Sequence, residues 1–313
     1  MHDLIIGVDV SKDWIDAFDQ EKGGRRLKTT PGSLSAFARQ AVRRNAFVVF
    51  EATGGYDAPL RAALEQAGGV FHRANPARAR DFARALGRFA KTDQVDAKLL
   101  AEMGARLDLE PTTARPEEER ALRALTTRRR QLVEMRKQER TRLQQTGDRS
   151  VRAAIVRHIA QLDRQIEHME TRINETIAAS ERFSRQKQLL ESAPGLGPVV
   201  SATLLAELPE LGQLDRRRIA SLAGLAPMAD DTGKRSGPRR IRGGRPVVRD
   251  MLYIAGLVAS RCCPRLVAFR YRLLAKGRTP KQAIIAVARR LLVMLNAMMR
   301  DGRPFETAHP LAT

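Results

Sequence analysis

Between Pro116 and Leu190 glycine and proline nearly vanish, and this restricts the fold more than any other feature of the chain. A segment that long without helix breakers is predicted to form extended helices. Apolar residues recur at Leu122, Leu125, Leu132 and Met135, then at Ile155, Ile159, Leu162, Ile166, Met169, Ile173 and Ile177. The second set steps mostly by four and three, the spacing of a coiled-coil seam. Thr146-Gly147-Asp148 separates the two sets and marks a reversal, so residues 111–190 are expected to form an antiparallel coiled-coil hairpin. Arg128-Arg129-Arg130, Arg136-Lys137, Arg140 and Arg142 decorate its first arm, as a solvated face or as a contact for nucleic acid. An arm of this kind also favours a homo-oligomer, dimer or tetramer.

Residues 1–110 have a different rhythm. Leu4 to Val10 reads as a strand, Asp16 to Lys28 as a hairpin turning at Gly23-Gly24, and a helix follows from Ser33. Further strands are expected at Phe47 to Glu51 and Val70 to Ala74, with helices near Ala58 to Ala67 and from Pro76 and Thr92. The order suggests an α/β RNase H-like sheet. Asp9 closes the run Leu4-Ile5-Ile6-Gly7-Val8, and Glu51 closes Phe47-Val48-Val49-Phe50. Strand carboxyl ends are where open α/β sheets build ligand sites. Asp93 and Asp96, three residues apart, share one face of a helix. Four convergent carboxylates are hard oxygen ligands suited to Mg²⁺ or Mn²⁺. Two such ions roughly 3.5 to 4 Å apart serve phosphodiester chemistry.

Composition decides the partner class. The chain of 313 residues carries a formal net charge of +21, which attracts polyanions and favours nucleic acid over membrane. Arginine abundance alone accounts for part of that charge. The two cysteines are adjacent, and the five histidines show no paired metal spacing, so zinc hydrolysis drops out. No GxxxxGK[ST] phosphate loop is present, which removes NTP-driven motor activity. The late apolar segment from Ala283 to Met299 is interrupted by Arg289-Arg290, and no basic region precedes the first apolar run. A soluble, cytoplasmic, nucleoid-associated protein without a membrane span is expected.

Residues 191–313 are expected to be mainly helical and are more basic than the rest. Ala193-Pro194-Gly195-Leu196-Gly197-Pro198 before Val199 to Leu208 has the form of a helix-hairpin-helix turn, in which Gly195 and Gly197 would let backbone N–H groups approach a phosphate. The same pattern makes ordinary interhelical turns. Next comes a glycine-rich basic stretch with two hydroxyls, Thr232 and Ser236, among Lys234, Arg235, Arg239, Arg240, Arg242 and Arg245. Such hydroxyls become nucleophiles only when a base or charge activates them, and the cations could hold a phosphate in line. A DNA-clamping loop without chemistry fits the composition equally.

Three blocks resemble transposases of the insertion-sequence 110 family, the DEDD transposases related to the Piv/MooV DNA invertase. They are Gly7-Val8-Asp9-Val10-Ser11-Lys12 with Glu51-Ala52-Thr53-Gly54-Gly55-Tyr56, then Lys91-Thr92-Asp93 through Asp96-Ala97. The third runs from Leu222-Ala223-Gly224-Leu225-Ala226-Pro227 through Gly243-Gly244-Arg245 to Leu252-Tyr253. The resemblance implies a RuvC-like nuclease domain, a coiled-coil linker and a C-terminal transposase domain. It also implies Mg²⁺ held by Asp9, Glu51, Asp93 and Asp96, and a hydroxyl that becomes linked to DNA. Where the family has Asp-Ser-Gly this chain has Asp231-Thr232-Gly233, so position favours Thr232 as the nucleophile, with Ser236 as its rival and a catalytically impaired chain as the third alternative. Donor and target DNA, and a structured guide RNA from the same element, are the implied partners. Two other functions fit the residues: a RuvC-like Holliday-junction or structure-specific endonuclease, and a non-catalytic nucleic-acid-binding scaffold.

Overall fold

The computed structural model describes residues 4–87, 93–113, 116–228, 231–232, 235–236 and 240–305; of residues 93–95, 231, 232, 235 and 236 only the backbone is described. The chain divides into two compact units, Met1–Ala114 and Arg115–Thr313.

The first unit is a five-stranded sheet between helices. Its elements are β1 (Leu4–Val10), β2 (Trp14–Asp19), β3 (Gly23–Lys28), α1 (Pro31–Arg43), β4 (Ala46–Glu51), α2 (Ala58–Ala67), β5 (Val70–Ala74), α3 (Pro76–Ala85) and α4 (Asp93–Arg106). The strand order is β3-β2-β1-β4-β5; β1 to β3 are antiparallel, and β4 and β5 run parallel to β1. Alternation along the strands sorts the core into two layers. Ile6, Val8, Val48 and Phe50 pack with Leu34, Phe37, Leu60 and Leu64 of α1 and α2. Phe47 and Val49 pack on the opposite face with Leu100 and Met103 of α4.

The first hairpin turns earlier than Gly23-Gly24. The reversal occupies Gln20 to Lys22, and Gly23 already pairs with Asp19. The reason is Asp19, whose Oδ1 accepts from the backbone N–H groups of Glu21 (3.0 Å) and Lys22 (2.7 Å) and so builds the turn with its own side chain. Arg44 closes on the same carboxylate at 2.8 Å. Burial opposes ionisation of Asp19, but the hydrogen bonds and charge of Arg44 with the two N–H donors hold its carboxyl below the usual range.

The second unit begins with α5 (Glu117–Gln145) and α6 (Arg149–Ala178), joined by three residues. Arg129 meets Glu170 at 2.6 Å and Arg136 meets Asp163 at 2.6 Å, so the two helices run antiparallel. Asp148 caps α6 by accepting from the N–H groups of Ser150 and Val151, which explains the stop at Gly147. Leu132, Leu162 and Ile166 are buried between the helices, while Met135 is 39% exposed although it fits the apolar pattern.

The remaining elements are α7 (Glu181–Glu191), α8 (Pro198–Glu207), α9 (Arg216–Leu222), β6 (Pro227–Met228), β7 (Asp231–Thr232), β8 (Arg235–Ser236), β9 (Arg240–Ile241), α10 (Pro246–Cys262), α11 (Pro264–Ala275) and α12 (Pro280–Asp301). The base of the long hairpin belongs to their core: Leu122, Ile173 and Ile177 pack with Leu204, Leu252, Leu291 and Leu295. By length and apolarity α12 could cross a membrane, but half of that stretch is buried in this core. Gly256 of α10 lies so close to Ala288 that an added Cβ would sit 3.0 Å from its Cα, which lets α10 and α12 cross tightly.

Candidate active site

Asp9 and Glu51 occupy the carboxyl ends of neighbouring parallel strands. The register pairs Val8 with Phe50, so the next step sets Asp9 beside Glu51, about 4.8 Å away in the strand-to-strand direction. Alternation puts both on the α4 side of the sheet, because Gly7 and Val49 already face that helix.

Gly7 reveals how α4 is aimed. A Cβ at this position would fall 2.0 Å from the carbonyl oxygen of Ala97 and 2.3 Å from the nitrogen of Ala101, so the helix backbone lies directly on the strand. Further along, a Cβ at Gly104 would meet Ile5 and Val49 at 2.8 Å. The helix therefore runs opposite to β1, and its first turn, with Asp93 and Asp96, lies toward the strand end that carries Asp9. The sheet edge and helix start thus assemble three of the four predicted acids on one side: Asp9, Glu51 and Asp96. Asp93 begins the same helix, but its side chain lies outside the described residues. Among the described residues no three acidic, histidine or cysteine side chains close around one ion-sized point. The donor chemistry, carboxylate oxygen throughout, fits a hard divalent cation.

Two neighbours escaped the sequence reading. Asp16 pairs directly with Asp9 across the antiparallel ladder and is 5% exposed. Arg26 on β3 grips it from two nitrogens at 2.9 and 2.8 Å, offsetting a negative charge next to Asp9. Asp57 is the other. Its carboxylate is buried, takes Arg73 Nε at 2.5 Å and Nη2 at 3.2 Å, and accepts from the Thr53 N–H at 3.3 Å. Burial raises the cost of its charge, yet the hydrogen bond and charge of Arg73 keep the Asp57 carboxyl below its ordinary range. This clamp ties β5 to the turn that leaves Glu51, where Gly54 (φ 55°) and Gly55 (φ 117°) adopt conformations suited to glycine. The only sequence signal was an acid six residues after Glu51.

In the second unit, the segment bearing the two hydroxyls starts from a closed neck. A Cβ on Gly224 would lie 2.5 Å from the Gly243 carbonyl, and one on Gly244 would lie 2.2 Å from the Gly224 nitrogen. Only glycines let these backbones touch. The Arg245 N–H donates to the Leu222 carbonyl at 2.9 Å, Arg249 donates to the Gly243 carbonyl at 2.8 Å, and β6 pairs with β9. Beyond the neck, β7 and β8 pair Asp231 with Ser236 and Thr232 with Arg235. The two hydroxyl residues therefore stand on facing strands, each beside the other's ladder partner. Lys234 and Arg239 lie outside the described residues, as do the side chains of Thr232, Arg235 and Ser236.

The remaining expected contacts divide. Arg240 and Arg242 are exposed. Arg245 is engaged inside the protein: it donates to both Glu210 carboxylate oxygens at 2.6 and 2.5 Å and to the Glu207 carbonyl at 2.7 Å. Its role is to fasten the neck. Gly195 (φ 85°) is likewise explained by packing, since a Cβ there would lie 2.4 Å from the Ala255 carbonyl of α10. Gly197 caps α8 and is exposed, with open space where a Cβ would be.

Known proteins match along both units. Residues 6–150 match a transposase family, and residues 187–271 match the transposase IS116/IS110/IS902 family. The chain belongs to the IS110 family of transposases. Among its relatives is the pilin gene-inverting protein of Moraxella bovis, 28% identical over 98% of both chains. A 42 kDa protein of insertion element IS900 from Mycobacterium paratuberculosis is 34% identical over 50% of this chain and 40% of its own length. A 44.8 kDa protein of IS116 from Streptomyces clavuligerus is 33% identical over 48% of this chain and 37% of its own. As a transposase the chain is a DNA-recombining enzyme, and the two matched regions coincide with the acid-bearing sheet and the hydroxyl-bearing segment.

Proposed function

We propose that this transposase cuts and rejoins DNA with Asp9, Glu51, Asp93 and Asp96 as ligands of two Mg²⁺ or Mn²⁺ ions and a hydroxyl of the second unit as nucleophile. The observation that supports it best is the meeting of Asp9, Glu51 and the first turn of α4 at one sheet edge, aimed by the bare backbone of Gly7. Divalent ions in such a site stabilise charge on the entering and leaving oxygens of a phosphoryl displacement. The acids orient that chemistry, and Asp16 beside them has its charge offset by Arg26. Thr232 is the favoured nucleophile by position and Ser236 the rival; the exposed Arg240 and Arg242 would hold the phosphate. The sheet order fits an RNase H-like, RuvC-like domain. The antiparallel pair α5 and α6, read as a coiled coil, would join subunits so that two centres meet two duplexes. Donor and target DNA are the substrates, an element-encoded RNA is the guide, and the setting is the cytoplasmic nucleoid.

Hydrolysis alone, as by a junction endonuclease, is the second reading. The relative similar from end to end is named for inverting a gene, which favours rejoining over hydrolysis. Denaturing electrophoresis of the reaction separates them, since a hydroxyl nucleophile leaves protein covalently attached to DNA. The adduct should form with wild type and Ser236→Ala, and vanish with Thr232→Ala and Asp9→Asn. Equal adduct in both hydroxyl variants removes Thr232 and Ser236 from the chemistry, and no adduct in wild type during active cleavage supports hydrolysis.

A further inference from the structure

From Met251 to Arg300 the chain contains ten lysines and arginines and no aspartate or glutamate. These fifty residues form most of α10 and all of α11, and extend almost to the end of α12. On α11, Arg265, Phe269 and Arg272 follow a spacing of four and three, so they share one face. From α12, Arg290 reaches over the Phe269 ring, its guanidinium carbon 4.6 Å from the centroid, while Arg272 stands 5.9 Å from the same centroid. One aromatic ring thus serves two cations.

Several other arginines of the molecule meet a carboxylate instead. Arg44 meets Asp19, Arg73 meets Asp57, Arg136 meets Asp163 and Arg245 meets Glu210. Among the described residues, neither Arg272 nor Arg290 meets a carboxylate. A ring quadrupole returns only about 0.5 to 2 kcal/mol per cation and does not neutralise charge. Burial, and then the charges of Arg272 and Arg265, push the Arg290 guanidinium below its ordinary pKa. On the same helix Arg270 keeps a buried Nε with no hydrogen-bond partner. The face carries concentrated positive charge, with Arg272 and Arg290 gathered at Phe269.

We propose that the α11–α12 face around Phe269 binds the phosphodiester backbone of a nucleic acid, through residues distinct from both the acid edge and the 231–245 segment. Phosphate oxygens accept from planar guanidinium edges, and a guanidinium restrained over a ring loses less entropy on binding than a free one. Contacts to phosphate carry no base information, so binding should be indifferent to sequence. The source is a DNA duplex or an RNA strand, which share this chemistry.

The test is fluorescence anisotropy of the full chain with a short duplex DNA and, separately, an RNA hairpin of arbitrary sequence, across a salt series. The Arg272→Ala/Arg290→Gln double variant should bind at least one probe about 10-fold or more weakly at low salt. Its slope of log K against log salt should be shallower by about 1 to 2, because each lost phosphate contact removes about one released counterion. The Arg272→Lys/Arg290→Lys variant should recover most of the slope, and the probe that weakens identifies the source. Unchanged slope and affinity for both probes would overturn the proposal, whatever happens to the melting temperature; so would a wild type that binds neither. Asp9→Asn should abolish cleavage and keep the salt slope, so failure of the metal-site reading is read separately.

Discussion

The two units place their candidate chemistry by opposite means. In the first, regular structure carries the acids: strand register sets Asp9 beside Glu51, and a helix resting on Gly7 brings Asp96 to the same edge. In the second, the hydroxyls sit on strands of two residues, positioned by what closes the neck beneath them: the contact of Gly224 with Gly244 and the fastening of Arg245 to Glu210. A site built on a sheet inherits the rigidity of the core, whereas one built on a neck depends on a few backbone contacts.

Substitutions can break this contrast, in order of expected effect. Gly7→Val should be the most damaging, because its side chain must displace the α4 backbone. Overpacking typically costs about 1 to 3 kcal/mol and more where backbone is the obstacle, so the first unit should melt far lower and strand transfer should disappear. A Gly7→Val protein with wild-type melting would show that α4 is not anchored on the strand. Arg73→Ala comes next. It leaves Asp57 buried without its cation, a loss of about 3 kcal/mol, the low end for buried pairs because Arg73 is one third exposed. Chemical denaturation measures it, and Arg73→Lys should restore only part.

Gly244→Ala addresses the neck. Strain at φ 68° and the clash with Gly224 should cost about 1 to 3 kcal/mol. Adduct formation should fall while divalent-ion binding, followed calorimetrically, stays unchanged. Equal loss of both would contradict separate positioning of acids and hydroxyls. Acid should unsettle the first unit in a defined direction. Asp19 and Asp57 both have depressed native pKa values, so their stabilisation is complete above the unfolded carboxylate range and is lost as pH falls through the lower native values. Melting temperature should therefore decline below the ordinary carboxylate pKa, and Asp57→Asn should flatten that decline. Smallest is Arg136→Ala, whose partly exposed pair with Asp163 should contribute about 0.2 to 1 kcal/mol and diminish in high salt.

What could be read from the residues alone was whatever local periodicity encodes. Alternation placed β1, β4 and β5 and put Asp9 and Glu51 at strand ends; the four and three spacing, free of breakers, located α5 and α6 and the reversal between them. Those patterns report which face of an element is buried, and each residue contributes independently of distant partners. Tertiary structure decided who meets whom. No spacing says that Gly7 is bare because a helix rests on it, that Asp57 waits for Arg73, or that Asp19 turns the first hairpin before the glycines do. The basic pattern likewise hid the difference between Arg245, neutralised by Glu210, and Arg272 and Arg290, both drawn to the Phe269 ring. Charge and glycine are visible in a sequence. Whether a charge is matched, and what a missing side chain makes room for, depends on contacts across many residues that only the folded chain creates.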